Sequence, residues 1–572
     1  MAEMSPTHYW NLPSPLSAET ARLAHDLKLP ELVVRLMYQR GHRTTDAIQT
    51  FLHPSPANLN QPDKLPDIKI ATERIIAALD THERICVYGD YDVDGVTGTT
   101  LLVSTLKRLD AEVIYYLPHR RKEGYGLSMA GIDFCREQKV KLIITNDCGS
   151  TDREAIAAAQ DAGIDTIVTD HHEVPAQLPP ALAVVNPKRP DSSYPFPELA
   201  GVGVAFKLAW SVLATLGRPK SELTDLLDLV GLGTIADMVP LIDENRILAR
   251  IGLNVIRNTK RLGLQTLLEK TGPKKRRFTS HDIGFILAPR LNAVGRISHA
   301  SQAVRLLLTE DKNEAEQLVA ELEADNHARQ SLEEKIVKQA ISLVESQGLD
   351  KKKVLVVAQE GWHEGVIGLV ASKLVERYYR PAIVIALKDQ SGKGSGRSIS
   401  GFNLYASFQA CAEYLVKFGG HKCAGGLQIE RNCIPEFSAA INRFADELPE
   451  EIYRPCLNID AVINLNEIDE DFIRFLQQLE PFGSENPLPL FASLGLEVVG
   501  YPRRIGKNHL KMKLRSENKV LPAIAWQRSY ELPKLEVGRK NHLDICYTVE
   551  RRTYAGSTST QLNLRDLRTH LT

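Results

Sequence analysis

Three short segments of the sequence are rich in residues that ligate hard metal ions. Gly89-Asp90-Tyr91-Asp92-Val93-Asp94-Gly95 places carboxylates at alternate positions. Asn146-Asp147-Cys148-Gly149 carries one more, and Asp170-His171-His172 adds a carboxylate and two imidazoles. In an extended chain residues i and i+2 point to the same face, so Asp90, Asp92 and Asp94 can converge. Carboxylates held that close repel one another, and a cation is the simplest compensation. A calcium loop of the EF-hand kind needs an acidic residue at its twelfth position. Counted from Asp90 that position is Leu101, which excludes it. The plainer alternative is a solvated acidic turn. Asp147 alone reads as a helix N-cap, and adjacent histidines alone are commonly surface or satisfied core residues. Taken together, oxygen-rich donors with an imidazole suit Mn²⁺ or Mg²⁺ rather than structural zinc. Asp237 stands in the apolar run Gly233-Thr234-Ile235-Ala236-Asp237-Met238-Val239-Pro240. An unpartnered carboxylate is costly to bury, so Asp237 needs an N-cap role or a metal.

A later pair of Gly-rich stretches suits anions. They are Gly392-Lys393-Gly394-Ser395-Gly396-Arg397-Ser398 and Phe418-Gly419-Gly420-His421-Lys422-Cys423-Ala424-Gly425-Gly426. Glycines let backbone N–H groups approach a phosphate, and Lys393, Arg397, His421 and Lys422 add positive donors. Neither stretch matches G-x-x-x-x-G-K-[ST], so this is not a P-loop nucleotidase. Ordinary Gly-rich turns are the alternative for each.

Short apolar strands position these segments. Arg84–Tyr88, Val113–Leu117, Lys141–Thr145 and Asp165–Thr169 alternate with helical patterns, which indicates a parallel sheet. Ligands of such sheets sit at the C-terminal strand ends, and three of these strands end in the ligand-type residues. Residues 1–67 read as an extended, partly helical arm punctuated by prolines, and 241–308 as mainly helical, with a basic stretch Lys274-Lys275-Arg276-Arg277. Residues 312–347 contain neither Pro nor Gly and predict a long connecting helix. The α/β alternation restarts over 353–450, and 456–572 read as short strands of a small β-barrel.

The chain has 572 residues, 43% hydrophobic and 25% charged, which excludes disordered, collagen-like and coiled-coil classes. Its formal charge is −1, but residues 501–572 carry 15 Lys/Arg against 6 Asp/Glu, a local +9. The eight cysteines are scattered without a C-x-x-C pair. That usage, with no signal-like start and no apolar run near membrane length, predicts a cytoplasmic protein with no membrane contact.

In this order, GDYDVDG, NDCG, TDHH and GTIADMVP resemble the DHH phosphoesterase superfamily, and GSGRSI with FGGHKCAGG resemble its associated second (DHHA1-type) domain. The PRLNAVGRI loop, GWHEGVIG and PFGSENPLPLF narrow the resemblance to the bacterial branch of single-strand-specific 5′→3′ DNA exonucleases, over about residues 10–570. Two positions depart from the pattern. Cys148 sits where Asn is common, and Glu485 where Gly is frequent.

The resemblance implies an α/β protein. An N-terminal arm (1–67) precedes a DHH-type parallel-sheet catalytic domain (68–308), a connecting long helix (309–350), a DHHA1 domain (351–453) and an OB-fold (454–572). It implies two-metal phosphodiester hydrolysis with Mn²⁺ or Mg²⁺, two ions per site. Asp147 would bridge them, Asp92 and Asp90 would serve one, and Asp94, His171 and Asp237 the other. His172 would contact the scissile phosphate, with Asp170 orienting a histidine. Arg120, Arg296, Ser395 and Arg397, with His421 nearby, would hold substrate phosphates. In the barrel Arg503, Arg504, Lys507, Lys511 and Lys513 would hold single-stranded DNA, with Tyr501 and Trp526 as stacking candidates. It further implies a monomer working in recombination and repair beside single-strand-binding protein and a RecQ-type helicase. Alternatives are another DHH phosphoesterase acting on short oligonucleotides, and a non-catalytic DHH-like DNA-binding scaffold.

Overall fold

A computed structural model describes residues 8–14, 17–273, 277–535, 542–554 and 557–570. Lys274, Lys275 and Arg276 of the basic stretch lie outside the described residues.

The first sheet is five-stranded and wholly parallel, in the order Val113–Tyr116, Ile85–Gly89, Leu142–Asn146, Asp165–Thr169, Ala183–Val185. Its central strands are buried on both faces, which is why they read as continuous apolar runs rather than alternations. Ile85, Val87, Leu142 and Ile144 join the core formed by helices Ile68–Asp80, Val93–Arg108 and Gly201–Thr215. Cys86, Tyr88 and Ile143 face helices Met129–Glu137 and Arg153–Asp161 on the other side. The strands ending at Gly89, Asn146 and Thr169 are immediate neighbours. At about 4.8 Å per strand, the loops that follow them must share one small region above the sheet.

A 35-residue helix, Lys312–Ser346, is N-capped by Asp311, whose Oδ1 accepts Glu314 N–H at 2.8 Å. At 1.5 Å per residue it spans about 50 Å. Leu318, Val319 and Leu322 pack into the first core, and Ile336, Ala340 and Val344 into the second lobe. That lobe has a mixed sheet, ordered Lys417–Gly420, Ala424–Glu430, Ser391–Arg397, Ala382–Lys388, Leu355–Glu360. Only the last two strands run parallel.

At the C-terminus Phe491–Ile505, His509–Ser516, Lys519–Ala525, Ser557–Thr569 and His542–Tyr554 pair in turn, and the first pairs again with the last, closing a five-stranded barrel. Helices Ala18–Leu27, Glu31–Gln39 and Thr45–Leu52 fold back onto it, and Val34, Leu36, Met37 and Phe51 share a core with Phe472, Phe491 and Leu510. Arg246 of the first lobe fastens this unit. Its buried guanidinium donates to the carbonyls of Phe51, Gln478 and Leu479 at 2.8–3.0 Å. Glu485 has φ +55°, a left-handed conformation that glycine adopts without strain, which fits the expectation of Gly at this linker position. Among the described residues no helix is long and apolar enough to cross a membrane.

Candidate metal centre and adjoining groove

The three strand-end loops and the end of helix Leu227–Ala236 bring five carboxylates and two imidazoles together. Asp92 N-caps helix Val93–Arg108, its Oδ1 accepting the Asp94 and Gly95 N–H groups at 2.9 and 3.1 Å. Asp94 is aimed inward by helix Gly201–Thr215, whose first two amides donate to its Oδ2 and Oδ1 at 2.6 and 2.8 Å. That helix end favours negative charge. Gly201 must be glycine here, since a Cβ would lie 2.8 Å from Asp147 Cβ and 2.9 Å from Asp94 Oδ2. Asp147 itself takes φ +63°, which Asp tolerates better than most residues.

Three ligand groups result. Asp90, Asp92 and Asp147 form one, Asp94, His171 and Asp237 a second, and Asp147, His171 and His172 a third. Within each, the donor atoms lie within 4.8 Å of one another. His171 Nε2 stands 3.0 Å from Asp147 Oδ1, 3.7 Å from Asp237 Oδ2 and 3.8 Å from Asp94 Oδ2.

Electrostatics shows what this cluster lacks. Burial, and then neighbouring carboxylates, push Asp90, Asp94 and Asp147 well above the ordinary range. Burial and Asp92 raise Asp237 to about 7. His171 is pushed down to about 3, first by burial and then by His172, so it keeps a free lone pair. Asp90 Oδ1, Asp147 Oδ1 and His171 Nε2 are buried without a hydrogen-bond partner. Unpaired acceptors converging around a neutral imidazole fit divalent cations with a preference for oxygen donors, such as Mn²⁺ or Mg²⁺.

Asp170 is built differently. It accepts N–H groups from Ser150, His171 and His172 and lies 2.9 Å from His172 Nδ1; burial opposes its charge, but His172 and these donors outweigh it and hold it ionised. Burial opposes charge on His172, but Asp170 and the surrounding carboxylates outweigh it and raise the imidazole to about 9. Tyr125, which the sequence reading missed, donates its hydroxyl to the Asp147 carbonyl at 3.0 Å and lies 2.9 Å from His172 Nδ1. With its proton so engaged, the Tyr125 oxygen can only accept from His172, which places a proton on Nδ1.

Beyond the metal cluster, Arg120, Arg296 and Arg397 converge from both lobes. Burial first, then Arg120, Arg397 and Arg329, lowers Arg296 to about 9. Burial and Arg120 lower Arg397 as well. Arg296 donates to Gly365 O at 2.9 Å, Arg397 to Ser395 Oγ at 3.2 Å, and Arg120 lies 4.6 Å above the Tyr91 ring. A cleft of about 440 Å³ opens here, lined by Arg120 and Ser395 among others. His421 is exposed in the hairpin turn after Gly420, outside the lining of that cleft.

On the barrel, Arg503 pairs across the strands with Lys511, and Lys513 follows two residues on, so the three share its outer face while Leu510, Met512 and Leu514 point inward. Arg504 turns back to the Lys507 carbonyl and Asn508, and Lys507 is exposed in the same turn. Tyr501 is 78% exposed, and Trp526 is exposed with its ring edge-on to His509.

Comparison with known proteins agrees with this architecture. Residues 84–234 match the DHH family, N-terminal domain, 351–447 the DHHA1 domain and 459–566 the RecJ OB domain. A single-stranded-DNA-specific exonuclease RecJ of Bacillus subtilis is 43% identical over 91% of this chain and 66% of its own length. The RecJ of Haemophilus influenzae is 36% identical over 88% and 90% respectively. The crystal structure of Thermus thermophilus RecJ in complex with Mn²⁺ superposes with a TM-score of 0.83 at 30% identity, covering 98% of this chain and 79% of that one, and a Mg²⁺ complex of the same protein is also similar. The chain belongs to the RecJ family of DHH-superfamily single-stranded-DNA-specific exonucleases.

Proposed function

We propose that the chain digests single-stranded DNA from the 5′ end, hydrolysing phosphodiesters to 5′-mononucleotides with Mn²⁺ or Mg²⁺ held by Asp90, Asp92, Asp94, Asp147, His171 and Asp237. The observation that carries the reading is Asp147, which belongs at once to the group containing Asp90 and Asp92 and to that containing His171 and His172. When bound, a pair of such ions supplies Lewis acidity for in-line attack of water on the phosphodiester. His172 keeps Nδ1 turned to Asp170 and Tyr125, which leaves Nε2 to contact a phosphate oxygen. Asp170 acts through His172, as a positioning residue.

The guanidiniums of Arg120, Arg296 and Arg397 repel one another, and a terminal 5′-phosphate relieves that repulsion with bidentate geometry. A phosphate fixed there would set the first scissile bond over the metal cluster and fix the polarity. The outer barrel face with Arg503, Lys511 and Lys513 would hold the trailing strand. A role in recombination and repair, beside single-strand-binding protein and a RecQ-type helicase, follows as the family expectation. A cytoplasmic setting goes with it as part of the same expectation.

The test is a substrate panel with Mn²⁺ or Mg²⁺: 5′- and 3′-labelled long single strands, blunt duplex, dinucleotides and pyrophosphate. Release of the 5′ label as mononucleotide from single strands supports the reading. Turnover of dinucleotides or pyrophosphate alone would overturn it.

A further inference from the structure

The cleft beside Ser395 and Arg120 is larger than one phosphate needs, and none of its lining residues belongs to the metal-ligand groups. Its far part is built on three adjacent strands of the second lobe. Lys393, Gln428 and Lys417 are cross-strand partners in one row, and Ser395, Gly426 and Gly419 form the next. Partners across a sheet, and residues two apart along a strand, project to the same face. Lys393, Ser395 and Arg397 therefore lie along one line at about 7 Å intervals. Within the second row Gly426 and Gly419 leave the floor beside Ser395 open: a Cβ would meet nothing within 4 Å at Gly419, and nothing nearer than the Gly394 carbonyl at 3.8 Å at Gly426.

The charge on this lining is unbalanced. Arg120, Arg121, Lys393 and Lys417 face a single carboxylate, Glu364, which lies 3.0 Å from Lys393 Nζ. Among the described residues the Arg121 guanidinium lies 3.3 Å from the His363 ring and has no carboxylate partner, and Lys417 has no ion-pair partner either. The cleft thus carries an excess of positive charge, and it shares Arg120 and Ser395 with the position assigned to the 5′-terminal phosphate.

We propose that this cleft receives the additional phosphates of a 5′-triphosphorylated strand. The inference rests on the 5′-phosphate reading above and extends it to a substrate class, polyphosphate 5′ ends. The α-phosphate would occupy the Arg397–Ser395 position, and the β- and γ-phosphates would reach Lys393 and Lys417 over the glycine floor. The reaction is unchanged. Water adds to the phosphorus of the first internucleotide diester, the 3′ oxygen of the terminal nucleotide leaves and takes up a proton, and that nucleotide departs as an intact nucleoside 5′-triphosphate. No other reactant is required.

The test compares one single-stranded oligodeoxynucleotide bearing either a 5′-monophosphate or a 5′-triphosphate, on the full-length protein with Mn²⁺, with the first product identified by chromatography. The triphosphorylated strand is expected to give a KM no higher than the monophosphorylated one, with deoxynucleoside triphosphate as first product. Lys417→Ala and Gln428→Glu, both at exposed positions, are each expected to raise KM for the triphosphate at least fivefold and to leave the monophosphate within twofold. Refusal of the triphosphorylated end, prior release of pyrophosphate, or equal effects of the variants on both substrates would overturn the proposal. Failure to digest the monophosphorylated strand as well would instead overturn the exonuclease reading beneath it.

Discussion

Asp170 Oδ1 lies 2.9 Å from His172 Nδ1 while the same carboxyl group receives the backbone N–H of Ser150, His171 and His172. These donors hold Asp170 ionised, and its charge keeps a proton on His172 up to about pH 9. In Asp170→Asn the charge is gone, so the His172 pKa must move down, toward or below its ordinary value near 6.5. Imidazole titration by NMR on chelator-treated protein reads this directly. Turnover is expected to fall about 10–100-fold, the usual cost of losing such an orienting partner. An unshifted His172 titration would show that Asp170 does not govern it.

Asp147→Asn tests the shared ligand. Asn tolerates the left-handed backbone that Asp147 adopts at φ +63°, so the variant isolates charge and ligation from backbone strain better than Ala. Without metal, Asp147 is buried among carboxylates and disfavours ionisation. Its neutral replacement should therefore leave the thermal midpoint of the metal-free protein unchanged or raised. The increase in midpoint produced by Mn²⁺ should shrink strongly, and the rate at saturating Mn²⁺ should fall below a tenth of wild type. A variant that keeps both would remove Asp147 from the centre.

Gly201→Ala places a methyl group 2.8–2.9 Å from Asp147 Cβ and Asp94 Oδ2. Neither neighbour is a loose side-chain end, because Asp94 is pinned by two amides. Metal affinity, followed by titration calorimetry with Mn²⁺, is expected to fall at least tenfold. Gly203→Ala, two residues on, meets only Leu199, at 3.4 Å and beyond, and serves as the control with affinity unchanged.

Much of this centre was legible because the strands feeding it are short, mostly apolar runs that are followed at once by carboxylates. Asp237 stood out for a related reason, as the one charge in the apolar run Gly233–Pro240 that ends helix Leu227–Ala236. Tyr125 did not, because its loop carries no periodic signal and Asp147, whose carbonyl it reaches, lies 22 residues on, beyond helix Met129–Glu137 and strand Leu142–Asn146. The Asp94–Gly201 bond joins residues 107 apart, and nothing local in either segment announces it. The N-terminal helices were equally opaque in their destination. Their apolar faces are visible in sequence, but the partners, such as Phe472, Phe491 and Leu510, lie at the far end of the chain; the strand Tyr9–Asn11 before them is the same, with Trp10 Nε1 donating to Asp566 Oδ2 at 2.9 Å.

The outer barrel face predicts a salt signature. Each phosphate neutralised on a single strand contributes roughly 0.7 to the log–log slope of affinity against salt. Lys511→Gln with Lys513→Gln should lower that slope by about 1.4 for a 40-mer if each contacts one phosphate. A trinucleotide, held between the lobes, should change little. Fluorescence anisotropy from 50 to 300 mM NaCl reads both, and equal losses for the two lengths would count against a strand-holding barrel.

Arg397 decides polarity. It donates to Ser395 Oγ and the Gly396 carbonyl, and its charge bears on Arg296 from the opposite lobe. A 5′-phosphate held among these guanidiniums orients the strand so that its first internucleotide bond meets the metal cluster. Paired strands resist that entry, because separating them costs about 1.4 kcal/mol per base-pair step and the sequence carries no P-loop motor to supply the work. Blunt duplex should therefore be digested at least tenfold more slowly than the same strand unpaired. Arg397→Ala should leave Mn²⁺ affinity intact, since Arg397 belongs to none of the ligand groups. It should also erase the preference for 5′-phosphorylated over 5′-hydroxyl ends. A 3′-labelled strand that loses its label in the first product, or a duplex digested as fast as its single strand, would refute this account of polarity.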